Sequence, residues 1–210
     1  MKLVVDIGNS FTKLAVFNKD EIIDFQIVKN PDNNTIKRLL TNFPQIRSSI
    51  ISSVGAHDPE ITHILEKNGP TIELTNNTPV PFINRYGTPL TLGKDRIAIA
   101  SAVIMLHPNQ NVLVIDIGTC VTYDIILSNG EYLGGGISPG LEMRFKSLHN
   151  FTHRLPLVSL PEHNSDISLV GNSTESSILS GVIVGLRAEV EHTINQYKKR
   201  YYPLITVISG

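Results

Sequence analysis

Two aspartates, Asp6 and Asp116, each close an apolar run and are each followed by Ile-Gly and then by amide or hydroxyl side chains. The two stretches are VVDIGNSFTKLAVF, Val4 to Phe17, and LVIDIGTCVTYDII, Leu113 to Ile126. At a constant offset of 110 residues Asp6 aligns with Asp116, Gly8 with Gly118, Asn9 with Thr119 and Thr12 with Thr122. A glycine after the aspartate lacks a Cβ, so a phosphate oxygen can reach the backbone N–H groups that a tight turn points outward. Hydroxyls at Ser10, Thr12, Thr119 and Thr122 add donors. The carboxylates themselves repel phosphate, which makes chemical sense if a cation or a water stands between them and it. Lys13 adds positive charge to the first copy only. A lone Asp-x-Gly is an ordinary turn; its repetition in register argues for two related halves and a phosphate-binding hairpin in each.

A second constellation is Gly93-Lys94-Asp95-Arg96, placed just before the apolar run Ile97 to Leu106. A helix beginning there gathers unpaired N–H groups and partial positive charge, so a carboxylate at 95 stays ionised, and Arg96 offers a planar fork to a carboxylate or phosphate. The structural alternative is that Asp95 caps the helix and Arg96 is solvated. A third is GGGISPG, Gly134 to Gly140, whose spacing is neither a Walker loop nor a dinucleotide fingerprint. It permits close backbone approach by a ligand, and Pro139 sits where helices commonly begin. His149, His153 and His163 are not at metal-ligand spacings and read as solvated loop residues.

The elements that must carry these groups follow from periodicity. Lys2 to Ile7, Leu14 to Phe17 and Ile22 to Val28 read as an antiparallel meander with a turn at Asn18-Lys19-Asp20. Ile36, Leu39, Leu40 and Phe43 have helical spacing within 35–43; Ser49 to Val54 is a short buried strand; Ile61 to Lys67 is a helix and Thr71 to Leu74 a strand. Asn76 to Pro89, rich in Pro and Asn, reads as a surface loop, and Ile97 to Leu106 as a buried helix. The repeated hairpin at Asp116 follows, then an Asn129-Gly130 turn and a strand from Glu131 to Leu133. A helix to about Leu148, an irregular stretch from His149 to Asn172, a long helix capped at Asn172 or Ser173 and a strand at 204–208 complete the chain.

With 210 residues the chain can bury a sizeable core. Net charge is −1, from 18 basic and 19 acidic residues, so no general attraction to nucleic acid or membrane is expected. The single Cys120 excludes an intramolecular disulfide and fits a reducing compartment. No apolar run reaches membrane-spanning length, and the N-terminus begins on a strand; a cytoplasmic, soluble protein is expected.

Two halves, each a meander opening on Asp-x-Gly, resemble the superfamily of acetate and sugar kinases, heat-shock chaperone ATPases and actin. The segments DIGNSFTK (Asp6 to Lys13), YGTPLTLGKDR (Tyr86 to Arg96), DIGTCVTYD (Asp116 to Asp124) and GGGISPG, with Thr174 and Gly181 in the long helix, are most similar to type III pantothenate kinase. The resemblance implies an α/β fold of two actin-like, ribonuclease H-like halves, 1–108 and 109–210, the second lacking a last turn and helix. It implies transfer of the γ-phosphate of ATP to pantothenate, with Asp95 as catalytic base. Asp6, Ile7, Gly8, Asn9, Ser10, Phe11, Thr12, Lys13 and Thr119 would bind ATP, Asp6 with Mg²⁺, directly or through water. Asp116 would hold a monovalent cation, K⁺ or ammonium, and Tyr86, Gly93, Lys94, Asp95, Arg96 and Thr174 would contact pantothenate. The resemblance also implies a homodimer. The competing readings are an actin- or chaperone-type ATPase and a regulatory protein of the same fold; direct DNA binding has weak support without a basic helix.

Overall fold

A computed structural model describes residues 1–8, 11–29, 31–55, 57–161 and 167–210. The chain divides into two compact units, Met1–Val80 with Gly87–Ser101, and Pro81–Tyr86 with Ala102–Gly210.

In the first unit β1 (Lys2–Ile7), β2 (Thr12–Asn18) and β3 (Glu21–Val28) form the expected antiparallel meander. Lys19 takes a positive φ of 54° in the turn between β2 and β3. Helix α1 (Asn33–Asn42) then returns the chain to β4 (Ser48–Ser53), which pairs parallel to β1, and α2 (Pro59–Asn68) leads to β5 (Thr71–Glu73). The strand order is β3-β2-β1-β4-β5. Alternation sends Leu3, Val5, Leu14 and Val16 to one face, where they are fully buried against Ile36, Leu39, Ile61 and Leu65 of the two helices. Each such side chain contributes about 1.5–3 kcal/mol on burial, which outweighs the weak helix propensity of short α1 and α2. Asp32 accepts the Thr35 N–H at 2.8 Å and Asp58 the Glu60 N–H at 2.9 Å, so both helices begin on a side-chain cap.

The stretch 76–89 is not wholly loop. Ile83–Asn84 forms a two-residue strand, β6, that hydrogen-bonds into the second unit's sheet. A single turn of 3₁₀ helix at Pro89–Thr91 precedes α3 (Lys94–Leu106), along which the chain passes from the first unit into the second. The helix expected to be buried over Ile97 to Leu106 is buried on one face only: Ile97, Ala100 and Val103 of α3 lie inside, whereas Met105 and Leu106 are 72% and 73% exposed.

The second unit repeats the plan with β7 (Asn111–Ile117), β8 (Cys120–Ile126), β9 (Glu131–Pro139), α4 (Leu141–Asn150), α5 (Thr174–Arg200) and β10 (Leu204–Ser209). Its order is β10-β7-β8-β9-β6, with β10 parallel to β7. Leu113, Ile115, Val121, Tyr123 and Ile125 pack against Leu186 of α5, and Phe145 of α4 packs with Ile178 and Val182. Ser173 caps α5 in a reciprocal pair with Ser176, one of the two residues expected to do so.

The glycine-rich GGGISP continues the strand expected at Glu131 to Leu133. Gly134 to Pro139 lie in β9, paired along β8. The register slips between Ile125 and Ile126, leaving one extra residue, and Gly134 takes φ +92° at that bulge. Pro139 ends the strand; α4 begins two residues later, after Gly140. Two meanders, each followed by a helical crossover to a parallel strand, make the fold α/β with two actin-like, ribonuclease H-like halves.

Candidate active site

The two hairpins place their aspartates alike but do not close alike. In the first, Asp6 faces Lys13 and Ile7 faces Thr12, and Gly8 N–H donates to Phe11 O at 3.0 Å. In the second, Asp116 faces Thr122 and Ile117 faces Val121, and Gly118 N–H donates to Cys120 O at 2.9 Å. The second turn is one residue shorter, so the gap-free sequence alignment of Thr12 with Thr122 is not a structural equivalence. Directly opposed residues of an antiparallel pair project from one face. Lys13 therefore stands beside Asp6, and Thr122 takes the same position beside Asp116. Thr12 is 2% exposed and shares the core face with Leu14 and Val16, away from Asp6 and Lys13. Asn9 and Ser10 lie outside the described residues, as does His163. Phe11 and Thr119 are exposed at their turns.

Ser52 of β4 is the parallel-register partner of Asp6, so Asp6, Lys13 and Ser52 form a row across three strands. The Ser52 hydroxyl is buried, at 6% exposure, and has no hydrogen-bond partner. An orphan hydroxyl in register with a carboxylate is a pair of oxygen ligands that a hydrated hard cation would satisfy. Among the described residues no group of three or more His, Cys, Asp or Glu side chains could hold a metal.

Asp95 lies in the first turn of α3, where its Oδ1 accepts the Arg96 N–H at 2.8 Å. A Cβ on Gly93 would collide with that same oxygen, so Gly93 leaves room for the carboxylate to fold back over the helix start. Arg96 is only 5% exposed, which overturns the solvated alternative. Tyr86 stands in the second unit beside the fully buried Tyr132, ring centroids 6.3 Å apart, and lies so close over Gly134 that an added Cβ would meet its ring carbons at 2.7 and 2.9 Å. Thr174 is the exposed first residue of α5, at the rim of a cavity of ≈ 830 Å³ also bordered by Leu148, Leu155, Ile178 and Gly181.

Three features escaped sequence reasoning. Asp124 is 1% exposed and accepts a 2.6 Å hydrogen bond from Tyr132 Oη; its signal was an acid inside the apolar run VTYDII. Glu189 of α5 accepts from Tyr123 Oη at 2.9 Å and pairs with Arg144 of α4, which no local pattern announces. Partial burial would raise the Glu189 carboxyl, but donors from Arg144, Ser138 and Tyr123 outweigh it and hold the group below the usual range. Burial, then the neighbouring Glu189, pushes the Tyr123 phenol up to about 12. Finally, Gly140 N–H donates to Thr119 O at 3.1 Å, and a Cβ on Gly140 would strike the carbonyls of Gly118 and Thr119. The shorter turn is thereby seated on the start of α4.

Two hairpins with carboxylates at strand ends, one in each of two actin-like halves, define an α/β protein of the fold class that sugar kinases and actin share. The family profile described as type III pantothenate kinase matches residues 2–196. Type III pantothenate kinases from Christiangramia forsetii and Phocaeicola vulgatus are 46% and 43% identical to this chain, covering 100% of it and 86% of each relative. A solved Campylobacter jejuni protein, described as belonging to the Baf family of transcriptional activators, is 25% identical with a TM-score of 0.55, over 90% of this chain and 78% of its own. The chain belongs to the type III pantothenate kinase family.

Proposed function

We propose that the protein transfers the γ-phosphate of ATP to the primary hydroxyl of pantothenate, giving 4′-phosphopantothenate and ADP, the first step of coenzyme A synthesis. The observation that carries this reading is the pair of Asp-Ile-Gly hairpins at the ends of β1 and β7, in a chain that matches the kinase family over nearly its whole length. Asp95 accepts the hydroxyl proton as the alcohol oxygen attacks the γ-phosphorus, and the bond to the β,γ-bridging oxygen breaks to release ADP. The turn from Asp6 to Lys13 and Thr119 bind the phosphates. Tyr86, Gly93, Lys94, Arg96 and Thr174 position pantothenate, and Arg96 takes its carboxylate.

Asp6, directly or through water, would hold Mg²⁺, with Ser52 beside it, and Asp116 would hold K⁺ or ammonium. Bound there, the cations would neutralise charge on the phosphates during transfer. Since such a reaction asks mainly for alignment and charge neutralisation, one base and two phosphate turns are chemically sufficient. The active species is taken to be a homodimer in the cytoplasm. Exposed Phe151, Leu169 and Val170 supply apolar surface for association, and among the described residues no helix is long and apolar enough to cross a membrane.

A coupled assay of ADP release tests this. Release should depend on pantothenate and be higher in K⁺ than in Na⁺. Pantothenate-independent hydrolysis would favour the actin- or chaperone-type ATPase, and absence of any turnover with retained nucleotide binding would favour a regulatory protein.

A further inference from the structure

The chain of contacts that ends on the second phosphate turn starts 70 residues away, on α5. Glu189 holds the Arg144 guanidinium through Oε2 and the Tyr123 hydroxyl through Oε1. The same guanidinium donates through Nη2 to Ser138 Oγ at 2.8 Å and through Nε to Pro139 O at 2.8 Å. Ser138 and Pro139 are the last two residues of β9, and the next residue, Gly140, carries the N–H that holds Thr119 O. Arg144 N–H in turn donates to Gly140 O at 3.1 Å, so one residue grips the Ser138–Gly140 segment from three sides. The glycine at 140 lets that segment lie in direct contact with Gly118 and Thr119.

We propose that Arg144 and Glu189 form a positioning pair for phosphate binding: they fix the strand-to-helix junction on which the Gly118–Thr119 turn rests, and so set nucleotide affinity without touching nucleotide. The inference rests on the reading of that turn as a phosphate site. A guanidinium is suited to this task because its planar fork can serve a carboxylate and two junction oxygens together, which a lysine ammonium on a flexible stem cannot reproduce. Both side chains are partly shielded, at 21% and 29% exposure, so water competes less for these bonds than at an open surface pair. The surface pair Lys146–Glu142 on the same helix, at 58% and 76% exposure, takes no part in the junction bonds described above and serves as the control.

The test is calorimetric binding of a non-hydrolysable ATP analogue to wild type, Arg144→Ala, Arg144→Lys, Glu189→Gln and Lys146→Ala, together with KM for ATP and for pantothenate and a circular-dichroism melt. With the three junction bonds of Arg144 gone the Gly118–Thr119 turn loses its support, so Arg144→Ala should weaken analogue binding by about tenfold or more. KM for pantothenate should stay within about twofold, and Lys146→Ala should behave as wild type. Arg144→Lys, which keeps the charge and most of the packing, should show the same nucleotide-selective loss and decides the matter if the alanine variant does not fold. Nucleotide affinity within about twofold of wild type in a folded Arg144→Lys and Glu189→Gln, or equal losses for both substrates, overturns the proposal. Failure of wild type itself to bind the analogue would instead overturn the phosphate-site reading.

Discussion

Gly93 leaves room for the Asp95 carboxylate, the group proposed here as the base. General-base assistance is worth about a hundredfold to ten-thousandfold, so Asp95→Asn should lower kcat by that order while leaving KM for pantothenate nearly unchanged. A near wild-type kcat would remove the base from the mechanism. Ser52 offers a sharper test at the same scale. Its buried hydroxyl has no partner, a state that costs about 1–3 kcal/mol. Ser52→Ala should therefore raise the melting temperature of the metal-free protein and at the same time raise the Mg²⁺ concentration needed to stabilise the ATP complex, both read by thermal melts across a Mg²⁺ titration. A variant with unchanged Mg²⁺ dependence would show that the hydroxyl does not serve a cation.

Element ends and strand faces decide the next layer. Removing the Ser173 hydroxyl, which closes the capping box of α5, should cost about 1 kcal/mol in urea unfolding. The strand β8 should carry a pH response: burial, then Glu189, pushes the Tyr123 phenol from its ordinary value of 10.0 up to about 12. A raised folded value means the contribution is intact below pH 10 and is lost as pH climbs toward about 12. Tyr123→Phe should flatten that alkaline limb of the stability curve, and an unchanged limb would refute the assignment. Much of this layer was readable in advance. The meanders, both crossover helices of the first unit and the Ser173 cap follow from alternation, 3.6-residue spacing and cap chemistry, all of which are local. What was not readable was set by partners distant in sequence. Ile83–Asn84 is a strand only because β9 offers an edge, and GGGISP is extended only because β8 pairs with it, against the weak strand preference of glycine. Likewise the site residues with side chains beside a turn glycine announced themselves, whereas Arg144 and Glu189 meet through helix packing that no spacing encodes.

At the scale of the molecule the two units keep one plan, a meander and a parallel fourth strand, yet differ in how the first hairpin closes. If the chain phosphorylates pantothenate as a homodimer, sedimentation should give twice the 23.1 kDa chain mass, and substitution of Na⁺ for K⁺ should reduce turnover without dissociating the particle. A monomeric sedimentation coefficient with full activity would refute the dimer. The residue that faces the aspartate in each hairpin would give such a cation dependence its chemical origin. On the proposed assignment, one half of the molecule has a counter-charge written into its own chain at Lys13, while the other sets a neutral threonine in the same place and must borrow its positive charge from the surrounding electrolyte.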